Sequence, residues 1–542
     1  MALTDLHLLD NETPVGIDPD SVSTWPARVL LLLLLASAAF YGLRLFLLPV
    51  PLGAIAPMDD VSAARAERRV ETIAAAAPAG VETALAASLG AVGLVAEPVP
   101  AGSRGVAARL RGTQPDGTIL LVTPYDPAGS APGLAGAAAM IEALRAFATG
   151  PKPKNDILVL LSATRPLDEA VLAAYDAALV FRFERISDRG PVALLSATAG
   201  SGGLVREAIR DLPHPTVTLA AGDLGRRPAS KVATLSFAAI GGPSVVAAAP
   251  DPRTIQDAGA TALSLLRRFG SATLPVPARP DVVAFTVGQD QVVTYPATGS
   301  RILGFAAAAV AVVLLAIGVL RKKLDLRLFA TGLLLYPLVA FLAWAVAFVF
   351  LSLLVRWNPG SHLLPWGTQS AEWFGGAVLA FSVALAGVLL TLLRGWRKTP
   401  VVDAGLAAAG LVWWALFSLV TGLGYPNLAP VAALPVLLLV PAFLVLFFTE
   451  NVSHHPWLSG TALAVAGIPA LLLVAPLGRF LDVVAGWTVP APRLSVAAAS
   501  AGLFALVAAL LLPHLSLPRR RWLFPAFFLV VAAGLLVAGF RF

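Results

Sequence analysis

Side chains able to attack a substrate or hold a metal are sparse in this chain. It contains no cysteine, so disulfides and thiolate-held metals are excluded. Between residues 51 and 298 there is a single histidine, His214, in the turn DLPHPT, and a centre needing two imidazoles cannot be assembled from one. His454 and His455 form an adjacent pair in a short loop between apolar segments, which is weak evidence for metal. The carboxylates placed for acid–base or ligand work are Asp126, just ahead of Pro127, then Asp168 and Glu169, then Glu184 beside Arg182 and Arg185. Each also has a plain structural role: Asp126 as a strand-end turn residue, Asp168 and Glu169 at the positive end of a helix, Glu184 as a paired or surface acid.

The elements that would position these residues alternate short apolar runs with amphipathic ones, the pattern of an α/β domain. Thr118 to Thr123, Asp156 to Ala163, Ala177 to Arg185, Pro191 to Thr198 and Val232 to Ile240 are mostly continuous and β-branched, as strands buried on both faces are. Helices are predicted over Gly133 to Phe147, Gly203 to Leu212 and Asp251 to Phe269, with an Ala- and Arg-rich amphipathic helix over 59 to 77 leading in. The expected fold is a mixed, mostly parallel sheet with helices on both faces.

From about Gly105 to Gly270 this text resembles the di-zinc aminopeptidases of metallopeptidase family twenty-eight. The segments that carry the likeness are ILLVTPYDP, APGLAGAAAMIEALRAF, NDILVLLSATRP, ALVFRFERISDRGPVALLSATAGSGGLVREAI and LSFAAIGGPSVVAAAPDPRTIQDAGATALSLLRRFG. The stretch DVVAFTVGQDQVVTYPA resembles the exit strands of multi-spanning members such as the endoplasmic-reticulum metallopeptidase and the vacuolar membrane protease. The resemblance implies a peptidase-like domain followed by a membrane bundle.

It also implies a site from which this chain departs. Where the family has its first metal-binding histidine stands Pro124, while Asp126 keeps the place of an orienting carboxylate. No Asp, Glu or His lies between Asp126 and Glu142, so the bridging acid is missing in any register; Gly136 occupies that stretch. The family's Asp-Gly-Glu-Glu reads Ala163-Thr164-Arg165-Pro166, which removes the general base and inserts a cation. Glu184 matches a later acidic ligand, and Val245 to Ala248 offers nothing in place of the last histidine. Ligand sites in open sheets form beyond the carboxyl ends of the strands, so Asp126, Arg165 and Glu184 are expected together at that edge.

Composition sets this domain in a membrane protein. The 542 residues are 57% hydrophobic and 13% charged, far more apolar than a soluble domain. Residues 1 to 28 form an acidic tail and 29 to 49 an uncleaved transmembrane anchor. Eight further apolar segments follow within 302 to 542, near 302 to 320, 328 to 354, 374 to 393, 404 to 424, 428 to 449, 458 to 478, 495 to 513 and 522 to 540, for about nine transmembrane helices. Arg321, Lys322, Lys323 and Arg327, then Arg394, Arg397 and Lys398, then Arg519 to Arg521 mark one side as cytoplasmic, and the 51 to 298 domain as outside it. The net charge of +7 arises mainly from these residues, which argues against nucleic-acid binding.

The expectation is a catalytically degenerate, membrane-anchored peptidase-like protein that acts as a binding or scaffold module. No cofactor is expected; its partners would be membrane lipid and another membrane or exported protein. An Ala-, Gly- and Arg-rich composition suggests a bacterial plasma membrane. Two alternatives stand beside it: an aminopeptidase with zinc in a rebuilt site using Asp126, Asp168, Glu169 and Glu184, and a lipid-handling or transport bundle with an accessory soluble domain.

Overall fold

A computed structural model describes residues 48–99 (78 excepted), 104–163, 174–186, 190–219, 222–223, 228, 231–240, 250–287, 291–324, 326–357, 401–448 and 522–541, with scattered helical positions in 30–38, 377–388 and 457–472.

The chain enters the soluble domain through helices α1 (Ala63–Ala75) and α2 (Val81–Ala91). Ser62 caps α1 by accepting the Arg65 N–H, and Ala63, Ala66, Val70 and Ile73 supply its buried stripe at helical spacing. Then follow β1 (Val95–Glu97), β2 (Gly105–Leu110), β3 (Thr118–Pro124), α3 (Ala131–Ala148), β4 (Asp156–Ser162), β5 (Ala177–Glu184), β6 (Val192–Ala197), α4 (Gly202–Asp211), β7 (Thr216–Val217), β8 (Ala233–Ala239) and α5 (Pro252–Phe269). The eight strands form one sheet in the order β1-β2-β4-β3-β5-β8-β6-β7. Its centre, β4-β3-β5-β8, is parallel; β2 and β6 run antiparallel to β4 and β8. The sheet is thus mixed, with its long parallel strands inside, where both faces are buried and continuous apolar sequence is required.

The main core lies on one face of the sheet. Ile119, Leu121, Val159, Phe181, Phe183 and Phe237 project there against all five helices. Phe181, Phe183, Phe237 and Phe269 are fully buried, each contributing about 1.5–3 kcal/mol of apolar transfer energy. The opposite face carries a smaller cluster, including Leu120, Val122, Leu158, Leu160 and Tyr175. Among the described residues the five helices pack on the first of these faces, and most of the crossover from β4 to β5 lies outside them.

A hairpin of β9 (Val282–Thr286) and β10 (Val292–Pro296) leads straight into α6 (Ala297–Leu320), followed by α7 (Leu326–Trp357), α8 (Val401–Gly424), α9 (Ala429–Leu438), α10 (Val440–Phe448) and α11 (Leu523–Arg541). Three stretches of described helix are long and apolar enough to cross a membrane: Ala297–Leu320, Ala407–Gly424 and Ala429–Phe448. The structure does not show nine. The segments at 29 to 49, 374 to 393, 458 to 478 and 495 to 513 lie wholly or largely outside the described residues. Helix α6 begins five residues before the apolar run at 302, and α8 three before that at 404, so Arg301 and Asp403 belong to helices. The run at 428 to 449 is two helices meeting at Leu439, in a stretch containing Pro430, Pro435 and Pro441.

The soluble domain and the bundle touch. Val283 and Phe285 of β9 pack on Val431 of α9. The Asn427 backbone N–H and side-chain amide donate to Asp223 at 2.6 and 2.9 Å, and Ser300 Oγ donates to the Pro426 carbonyl at 2.7 Å.

Candidate functional site

The carboxyl ends of β3 and β5 bring two of the sequence-identified positions to one edge. The strands pair in parallel with Val122 opposite Arg182, so Pro124 closes β3 near Glu184, the last residue of β5. Pro124 also pairs with Ser162 at the end of β4. Asp126 follows two residues beyond β3 and has the bonds of a turn: its carboxylate accepts the Ala128 N–H at 2.9 Å and the Ser130 hydroxyl at the start of α3. Glu184 pairs with Arg182 two residues back on the same strand face, at 2.8 Å. Arg165, Asp168 and Glu169 lie outside the described residues, as does the stretch Val245 to Ala248.

Above this edge the first turns of α3 come unusually close. A Cβ at Gly136 would fall 2.6 Å from Thr123 Oγ1 and 3.4 Å from the Ile186 side chain, and one at Gly133 would fall 2.3 Å from Asp126 Cβ. The two glycines let the helix settle onto the strand ends, and the space a larger side chain would need is closed. The Thr123 hydroxyl is buried there without a hydrogen-bond partner among the described residues. No group of three or more His, Cys, Asp or Glu is placed to hold a metal ion among the described residues.

Two buried carboxylates lie away from this edge, and sequence reasoning missed both. Glu142, fully buried in α3, takes hydrogen bonds from Arg65 at 2.7 Å and Arg145 at 2.9 and 3.0 Å, with Arg69 at 3.5 Å. Burial pushes its carboxyl up, but the Arg145 and Arg65 hydrogen bonds outweigh this and hold it below the usual range. Its signal in the sequence is a lone acid inside an alanine run with Arg145 three residues on. Asp257, in α5, accepts the Val192 N–H at 2.7 Å through one oxygen, and the other has no partner among the described residues. Burial pushes Asp257 up to about 7, against that one bond.

No family model matches the chain, and no curated protein does. Solved structures with some likeness include two of the glutaminyl cyclase of Porphyromonas gingivalis. Each is 13% identical and covers 38% of this chain and 98% of its own, with TM-scores of 0.27 and 0.26. A likeness of that size carries no argument about what this chain does.

Proposed function

We propose that the chain is a membrane-anchored, peptidase-like binding or scaffold module that holds no zinc and hydrolyses no peptide. The observation that carries this reading is the packing of Gly136 on Thr123. At the strand edge where the resemblance places a bridging acid, the backbone of α3 leaves no room even for a Cβ. The donor set does not fit zinc either. Pro124 has no donor nitrogen, Asp126 is engaged by its own turn, and Glu184 is paired with Arg182. A site of carboxylates alone would be weak and unselective. Without a metal to lower the pKa of water from about 15.7 to about 7, a nucleophile of this class does not form at neutral pH.

The rest of the reading comes from hydropathy and charge: an anchor at 29 to 49, nine crossings, the soluble domain outside a bacterial plasma membrane, and a membrane or exported protein as partner. Metal analysis of the purified, tag-free protein, followed by aminopeptidase assays with added zinc, is the direct test. The expected result is less than stoichiometric zinc and no turnover. Two zinc ions per chain, or activity abolished by Glu184→Gln or Asp126→Asn, would overturn the reading in favour of a rebuilt site.

A further inference from the structure

The segment that joins the apolar run at 29 to 49 to the soluble domain is neither helix nor strand from Leu48 to Ser62, yet it is firmly held. Arg65 donates to the carbonyls of Ala54, Ala56, Pro57 and Asp60 at 2.7–3.1 Å. Arg145 reaches those of Met58 and Asp60, and Arg267 that of Asp59. Ser62 Oγ serves those of Leu52 and Gly53 at 3.2 and 2.8 Å. From Leu52 to Asp60, only the Ile55 carbonyl is left out of this scheme among the described bonds. Glu142 fixes Arg65 and Arg145 from behind, so the strap is built on a buried ion cluster.

The strap turns three large apolar side chains outward. Ile55 is 100% exposed, Val50 81% and Met58 59%. Irregular backbone is costly where water is scarce, because its carbonyls need partners, and here the protein supplies them. Val50 directly follows an apolar segment in which Leu31 and Ala38 pack on the bundle while Leu30, Leu33 and Leu34 face outward.

We propose that the strap from Val50 to Met58 is a membrane-docking loop, which seats Val50, Ile55 and Met58 in the lipid interface beside the anchor and so fixes how the soluble domain stands on the bilayer. This rests on the membrane anchoring proposed above and is independent of the metal-free site. The occupant is lipid because the strap continues from the anchor, and its carbonyls are satisfied internally.

The cysteine-free chain gives a clean test. Full-length Ile55→Cys, Val50→Cys and, as an exposed control, Lys152→Cys are each labelled with an environment-sensitive fluorophore. They are then reconstituted into phosphatidylcholine–phosphatidylglycerol vesicles. The labels at 55 and 50 are expected to emit at shorter wavelength than that at 152, to be quenched by lipids carrying a nitroxide, and to be spared by iodide. Iodide quenching equal to that at 152 would overturn the proposal. So would protection from both quenchers, which would mean that protein, such as a second copy, covers the strap. Failure of the chain to float with vesicles would remove the anchoring itself.

Discussion

Glu142 and Asp257 are both shielded from solvent yet shifted in opposite directions, and the charged partners of Glu142 are a main difference between them. Burial alone disfavours both carboxylates. Glu142 is drawn down by the hydrogen bonds of Arg145 and Arg65, whereas Asp257 has only the Val192 N–H and rises to about 7. The consequences for stability have opposite sign. The depressed Glu142 stabilises the fold above the ordinary carboxylate range, and that contribution is lost as pH falls through its folded value. The raised Asp257 binds its proton more tightly folded than unfolded, so its contribution is complete below the ordinary range and is lost as pH rises to about 7. Asp257→Asn keeps an acceptor for Val192 and cannot ionise. Between pH 5 and 7 the parent should therefore lose stability relative to the variant, by at most about 1.4 kcal/mol per pH unit. Unfolding midpoints of both at pH 5, 6, 7 and 8 check this, and parallel profiles would show that Asp257 does not titrate there. Glu142 is marked in the sequence only as a lone acid in an alanine run and Asp257 not at all, because burial of a single acid on a helix is decided by what the helix packs against.

Among the membrane-segment helices, α6 and α8 approach closely. A Cβ at Gly304 would meet the Ser418 carbonyl at 2.7 Å, and one at Gly422 the Ser300 carbonyl at 2.8 Å. Small residues four apart on each helix, Ser300 with Gly304 and Ser418 with Gly422, permit this contact, and in lipid such packing is a main source of helix association. Gly304→Leu should force the pair apart and cost about 1–3 kcal/mol, as overpacking does. Gly534→Leu on α11, where a Cβ would have nothing within 4 Å, should leave the pair intact. Thermal unfolding in detergent compares the two, and equal midpoints would deny the crossing its role. The buried parallel strands were legible because burial on both faces demands unbroken apolar text. The strands β1 and β2 were not: β2 carries Arg109, paired with Glu97 of β1 and Asp156 of β4, so it lacks the apolar run of a central strand. Helix α2 was missed because its Ala-rich sequence gives no amphipathic period. At the candidate site, Asp126 as a turn residue was readable from its place before Pro127, but the closeness of α3 at Gly136 depends on Thr123 and Ile186, remote in sequence or across a loop.

For the whole molecule, parity constrains the path through the membrane. The first turn of α6 meets the loop after α8, with Ser300 Oγ on the Pro426 carbonyl, so α6 starts and α8 ends on the same side, against the soluble domain. A chain that leaves and returns to one side crosses an even number of times. Helices α6, α7 and α8 are three, and α7 is a 32-residue helix that packs along α8. If α7 crosses, a fourth crossing is required between 358 and 400, where hydropathy places the segment 374 to 393 and where the described positions in 377–388 are helical. This gives the basic cluster Arg394, Arg397 and Lys398 to the side opposite the soluble domain, as the rule of positive charge inside demands. Single cysteines at Thr399 and Ser516 should resist an impermeant thiol reagent applied outside intact cells, and react once the membrane is opened. A cysteine at Lys152 should react at once. Labelling of Thr399→Cys as fast as Lys152→Cys would break the fourth crossing, and labelling of Ser516→Cys alone would confine the error to the segments after α10.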